Sequence, residues 1–247
     1  MKNIVYILLL STQVFFAQNG FEKGNSFYEK GKYEEAVTAY ESVLKDNKYS
    51  SELYFNLGNA YYKLNKVAPS IYNYEKALVL NPNDSESINN LKFAQKRTID
   101  EIKVIPKVGF GKLVRDFTGI YHYNTWAWIS VSLAAAFLLF FIGYYFSQIT
   151  VSKRIFFFGM FVLIFFILIS VSSAIFEKSH FDNEKPAIIF AEITEVKSEP
   201  QKAGSAIFVL HEGTKIFVKE TLENWKKVQL TDGTEGWIES SAIKEVK

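Results

Sequence analysis

Four hydropathy regimes follow one another along the chain. Residues 4–16 form a short apolar stretch, and residues 20–100 carry apolar side chains at helical spacing among charged ones. Residues 125–147 and 155–176 hold no charge, and from Lys185 the alternation shortens to two. Apolar positions three and four apart predict amphipathic helices, strict alternation predicts half-buried strands, and uncharged runs of about twenty residues predict membrane spans. The order predicts an all-α domain, a two-helix transmembrane hairpin and a small all-β domain in one membrane protein.

Within 20–100 the pattern recurs. Gly24 returns as Gly58, Phe27 as Tyr61 and Tyr40 as Tyr74, each 34 positions later. Small residues at Gly24, Gly58, Ala36 and Ala77 let paired helices approach, the aromatics fill the gaps between turns, and Pro82 stops the second helix of its pair. These residues, with Tyr33, Leu57 and Asn81-Pro82, resemble the tetratricopeptide repeat (TPR), which implies stacked helix pairs. Departures fall at Lys48, where the first unit would carry its proline, at Lys23 opposite Leu57, and at Ser70 opposite Ala36. One repeat cannot bury its own apolar face. Residues 85–98 supply a further helix with Ile88, Leu91 and Ala94 on one side and Asn89, Asn90, Lys92, Lys96 and Arg97 facing away, so 20–100 reads as two and a half repeats ending in a capping helix.

The chain has 247 residues with 23 Phe and 14 Tyr, a composition suited to large cores or a membrane. Trp126 and Trp128 at one end of the first span, and Tyr144 and Tyr145 at the other, suit interfacial aromatic belts. Residues 1–17 read as a secretory signal peptide, with a basic start at Lys2 and a cut after Ala17; the bulk of Phe15 leaves an uncleaved anchor as the alternative. Counting from an exported start places the repeats and the β domain on the periplasmic, extracytoplasmic side of the inner membrane. They are joined by a juxtamembrane linker at 101–124, the span 125–147, a cytoplasmic loop at 148–154 with Lys153 and Arg154, the span 155–176 and a linker at 177–185. Lys107, Lys112 and Arg115, on the outer flank, run against this order, and export of the long domain overrides them.

The last segment, 186–247, has runs at Pro186–Ala191, Ala206–Leu210, Lys215–Lys219 and Trp225–Leu230, and Asp232-Gly233 supplies a hairpin turn before Gly236-Trp237-Ile238. This order resembles a bacterial SH3-like domain and implies a small barrel, with Gly236 admitting a bend and Trp237 covering an open end. Trp225 and Trp237 are its candidate ligand-binding residues, with rim or core packing as the alternative.

Candidate chemistry narrows the function to binding. The absence of cysteine excludes a thiolate metal site, a cysteine nucleophile and a lipoprotein anchor, and a net charge of +2 without a basic stripe argues against nucleic acid. His122, His180 and His211 lack metal-ligand spacing, and no phosphate-binding glycine loop or nucleophile elbow occurs. No cofactor, metal or catalytic group is expected, so the chain reads as a non-enzyme. Asn25 and Asn59, with Tyr28 and Tyr62 one turn on, stand at identical phase where TPR proteins line a peptide groove; Lys63, Lys96 and Arg97 add positive charge.

The whole order, with the stretch 91–100, resembles the BatE-like family of the Bat aerotolerance operon. That resemblance implies an inner-membrane scaffold working with von Willebrand factor A-type membrane proteins and, indirectly, a MoxR-type ATPase, with protein and membrane lipid as its partners. Alternatives are a cell-envelope sensor whose SH3-like domain binds peptidoglycan or a peptide, and an accessory transporter subunit, although no charge lies within the spans.

Overall fold

The computed structural model describes residues 20–101 and 109–247. The signal expected over 1–17 and the linker stretch 102–108, with Lys107, lie outside the described residues. The chain divides into two compact units: the repeats together with Lys185–Lys247, and the helices of the intervening segment up to Glu184.

Five helices build the first part of the repeat-bearing unit: α1 (20–29), α2 (Tyr33–Lys45), α3 (Ser51–Lys63), α4 (Val67–Leu80) and α5 (Ser85–Gln95). The two intra-repeat turns are copies of each other. Gly31 and Asn65 both take left-handed φ values, +73° and +58°, and Lys32 and Lys66 donate back to the carbonyls of Phe27 and Tyr61 at 2.9 and 3.0 Å. Ser50 and Asp84 cap α3 and α5 by accepting from the amides of Leu53 and Ser87. A Cβ on Gly24 would sit 2.3 Å from the Tyr40 ring and one on Gly58 2.8 Å from the Tyr74 ring, so each glycine makes room for the aromatic of its own second helix. Ser70, fully buried, donates to the Gly58 carbonyl at 3.0 Å and so satisfies the polar group it brings into the core.

The β domain comprises β1 (Pro186–Ile189), β2 (Ile193–Lys197), β3 (Ala206–His211), β4 (Lys215–Leu222), β5 (Trp225–Gln229), β6 (Glu235–Glu239) and β7 (Ile243–Glu245). They form one antiparallel sheet in the order β3-β2-β6-β5-β4-β1-β7. The closed barrel expected from the sequence is corrected to an open, SH3-like sheet: β3 and β7 are free edges, and β2 meets β6 only at Lys197 and Trp237. All seven strands still contribute to one core, from Leu210 at one edge to Ile243 at the other.

That core continues into the repeats through β1, which is buried at every position. Ala187 and Ile189 join the core of the sheet, whereas Ile188, on the other face, joins Ala68, Ile71, Leu91 and Ala94 of the repeats together with Val246. Phe190 meets Tyr72 of α4 edge to face at 5.5 Å. A strand with both faces covered needs an unbroken apolar run, and Pro-Ala-Ile-Ile-Phe provides it.

The second unit holds α6 (Phe110–Thr118), α7 (Tyr123–Phe146) and α8 (Thr150–Asn183). Helices α7 and α8 are each long and apolar enough to cross a bilayer, and their apolar windows are almost wholly uncovered by protein. They interlock through two small residues, Gly143 against the ring of Phe156 and Gly159 against that of Phe140, and through a Ser130–Ser170 hydrogen bond of 2.8 Å. The helix α8 is longer than the span 155–176 expected from the sequence. Lys153 and Arg154 belong to the first turns of α8 rather than to a loop, and α8 extends past Phe176 to Asn183, where Lys178 and Asp182 pair one turn apart at 2.9 Å. Trp128 is exposed, whereas Trp126 is buried beside Phe117 and Tyr121 and donates its indole N–H to the Thr118 carbonyl at 2.7 Å.

Candidate binding surfaces

The candidate asparagines of the repeats turn inward. The Oδ1 of Asn25 accepts from the Tyr40 hydroxyl at 2.6 Å and from the Asn56 amide at 3.0 Å. One period on, the Oδ1 of Asn59 accepts from Tyr74 at 2.6 Å and from Asn90 at 2.8 Å. Each asparagine thus links the first helix of its own repeat to the second helix of that repeat and to the first helix of the next. Burial pushes the Tyr40 and Tyr74 phenols well up from their ordinary value, so both remain donors across the physiological range. Asn56 and Asn90, 34 positions apart, complete the ladder; that spacing is the signal that could have revealed them.

The other candidates are arranged around it. Tyr28 is half-buried and meets Tyr33 edge to face at 5.2 Å; burial also raises its pKa. Arg97 stacks its guanidinium 3.7 Å from the ring centre of Tyr62 and donates to Asn65 Oδ1 at 3.0 Å and to the Tyr62 carbonyl at 3.3 Å. This planar cation closes the last full repeat as well as adding charge to it. Lys63 is exposed. On α5, Lys92, Phe93 and Lys96 face solvent, with the Lys96 ammonium 5.5 Å from the Phe93 ring centre.

Strand alternation places Trp225 and Trp237 on the outer face of the sheet, opposite Val228 and Ile238, which belong to its core. Lys197 pairs with Trp237 across β2 and β6, and its ammonium lies 6.0 Å from the Trp225 ring centre, where it also pairs with Glu195 at 3.7 Å and donates to the Lys202 carbonyl. Beside them Lys227 pairs with Glu235 at 2.9 Å. Trp225 is 9% exposed, leaving Trp237 as the more accessible indole.

Polar contacts reinforce the shared core between repeats and sheet. Asp100 accepts from the His211 amide, from the Thr214 hydroxyl and pairs with His211 Nδ1, all at 2.7 Å. Burial alone would push the Asp100 carboxyl up, but these bonds outweigh it and hold the group below its usual range. Lys215 reaches Glu75 of α4 at 2.7 and 2.8 Å, and the Glu75 side chain is only 9% exposed. Between these pairs the turn at Gly213 presses on the helices: its φ is +85°, and a Cβ there would lie 2.9 Å from Thr98 and 3.0 Å from Val67. None of these junction residues carried a sequence signal; Asp100 and His211 are 111 positions apart.

Comparison with known families agrees with this architecture. Residues 24–65 match the family described as TPR repeat, residues 51–84 match Tetratricopeptide repeat, and residues 192–245 match Bacterial SH3 domain. No curated protein matches the chain. The molecule therefore combines a TPR-like helical region, two long apolar helices and a C-terminal all-β SH3-like domain, and both recognised domain types are binding modules. Among the described residues no cluster of His, Asp or Glu could hold a metal ion.

Proposed function

We propose that this protein is a non-catalytic, membrane-anchored scaffold whose repeats and SH3-like sheet act as one rigid binding body. The observation that carries the reading is the continuous core through Ile188, Ile71 and Val246, locked by Asp100–His211 and Glu75–Lys215. Two modules fixed in this way present a single composite surface to a partner, which lowers the ordering cost of binding. In this reading Tyr28, Tyr62, Lys63 and Arg97 carry the partner-facing surface of the repeats, while Asn25 and Asn59 hold its helices in phase. The shared body also supports a hairpin topology, since the repeats and the sheet, on either side of α7 and α8 in sequence, pack directly together. An inner-membrane location with this body on the extracytoplasmic side follows from the export signal read in residues 1–17.

Resemblance to the Bat family suggests the client: a von Willebrand factor A-type membrane protein, with a MoxR-type ATPase acting through it. Photo-crosslinking from Tyr28 and Lys63 in native membranes tests this. The expected product is one membrane protein captured from both positions, its capture from Tyr28 lost in Lys63→Glu; absence of a specific product from folded, abundant protein contradicts the reading.

A second reading rests on the outer face of the sheet, where the partly exposed indole of Trp237, beside Lys227, offers a stacking platform suited to a cell-wall glycan or peptide. Sedimentation with purified peptidoglycan, abolished by Trp237→Ala, would favour the envelope-sensor function.

A further inference from the structure

Helix α6 departs from the expectation of a plain juxtamembrane linker. Phe110, Leu113, Val114 and Phe117 recur at helical spacing along one side, and Lys112, Arg115 and Asp116 occupy the other. Phe110 is 80% and Leu113 67% exposed, so this apolar side is largely uncovered by protein. A short helix of this kind joined to a span has the pattern of an interfacial helix, with its apolar side in the boundary between headgroups and acyl chains. Its polar contacts fix it beside α8: Thr118 bonds Glu177 at 2.5 Å and Arg115 pairs with Glu184 at 3.4 Å.

Two recesses lie between α6 and α8 and follow one stripe of α8. The lower, of about 470 Å³, is apolar, with Val114 and Phe117 of α6 facing Phe165, Leu168, Ser172 and Phe176. The upper, of about 530 Å³, shares Phe176 and continues through Ser179, His180 and Asn183, faced by Lys112, Arg115 and Asp116. From Phe165 to Asn183 the stripe is about 27 Å long at 1.5 Å per residue. One bilayer leaflet with its headgroups measures about 20 Å.

We propose that this stripe is a binding site for one membrane phospholipid, with an acyl chain against Phe165, Leu168 and Phe176 and its phosphate against Lys112 and Arg115. Charge complementarity favours an anionic headgroup, because among the described residues that line the two recesses the full cations, Lys112 and Arg115, are grouped at the upper end beside Asp116 and His180, where α8 leaves its apolar run. Both cations already have acidic partners, Asp116 and Glu184, at half-exposed positions. Such pairs are weak and exchange readily for a phosphate. The proposal rests on the membrane-inserted reading of α7 and α8, which alkaline extraction of membranes checks independently: release of the protein would sink that reading, while retention leaves the lipid site to its own test.

That test is native mass spectrometry of the full-length protein in detergent, titrated with phosphatidylglycerol, with diacylglycerol and with inorganic phosphate. The expected result is a single retained phosphatidylglycerol, little retained diacylglycerol and no competition by free phosphate. Arg115→Ala and Lys112→Ala should each weaken retention about tenfold, the loss of one charge-assisted hydrogen bond. Leu168→Trp, at a side chain already 61% exposed, should block the groove without disturbing helix packing. Equal retention by all three variants would overturn the proposal. So would displacement by phosphate alone, which would make the site a simple anion site, or a dimer abolished by Leu168→Trp, which would give the groove to a second copy of the chain.

Discussion

The two units solve opposite solvation problems with the same residue types. In the repeat-and-sheet unit the large aliphatics are inside, with Ile71 and Ile188 fully buried, and polar side chains cross-link its elements. In the helical hairpin the large residues are outside, with Phe158 66% exposed, and the buried side chains include Ser170 and Ser173. The first arrangement gains stability by removing apolar surface from water. The second gains nothing that way once lipid surrounds it, and holds together by close fit at Gly143 and Gly159 and by serine hydrogen bonds. A single substitution type should therefore have different consequences in the two units.

The strongest contrast is an aspartate placed in each. Ile188→Asp puts an unpaired charge between repeats and sheet and should cost about 4 kcal/mol or more, lowering the melting temperature of both modules together. Leu168→Asp should leave that transition unchanged and instead oppose insertion by about 3 kcal/mol, read as loss from the membrane fraction. Next in size is Glu75→Ala, which strands Lys215; because that lysine is 31% exposed, about 2 kcal/mol is expected in denaturant unfolding. A Glu75→Gln, Lys215→Met double variant should recover most of it.

A smaller effect separates the two polar devices of the repeats. Tyr74→Phe removes one donor from Asn59 and should cost about 1 kcal/mol, and Tyr40→Phe about the same at Asn25, since the ladder repeats the geometry. Unequal losses would show that the neighbouring sheet stiffens the second repeat. The smallest expected effect is the pH dependence of Asp100. A carboxyl with its folded pKa depressed contributes stability that is present above its unfolded pKa and is lost as the pH falls through the folded value. Stability should accordingly decline as the pH falls below about 4, and Asp100→Asn should flatten that part of the profile.

Local features of the fold were legible in the sequence and distant ones were not. The 34-residue period exposed Gly24, Gly58, Tyr40 and Tyr74, because each meets a partner within its own repeat. Asp232-Gly233 marked its turn because positive φ is a single-residue property, and Gly233 takes +89°. Asn25 and Asn59 were read as groove residues, and their bonds to Tyr40, Asn56, Tyr74 and Asn90 were not foreseen, since periodicity locates a helix face without saying what the neighbouring helix offers it. The barrel was expected to close because short alternating strands look alike whether the sheet closes or ends. β7, only three residues long, adds beside β1 instead. The junction was hidden because Asp100, His211, Glu75 and Lys215 become neighbours only through folding; the unbroken apolar run of β1 was its one trace. α6 was read only as part of the linker 101–124, although its four apolar positions already had helical spacing.

The central claim is that repeats and sheet are one folding unit. Hydrogen exchange of the full-length protein in lipid nanodiscs, followed by mass spectrometry, compares the opening of α4 with that of β1. The account predicts the same opening free energy for both and an equal fall in both on Ile188→Asp. Protection of α4 that survives while β1 exchanges freely would contradict it.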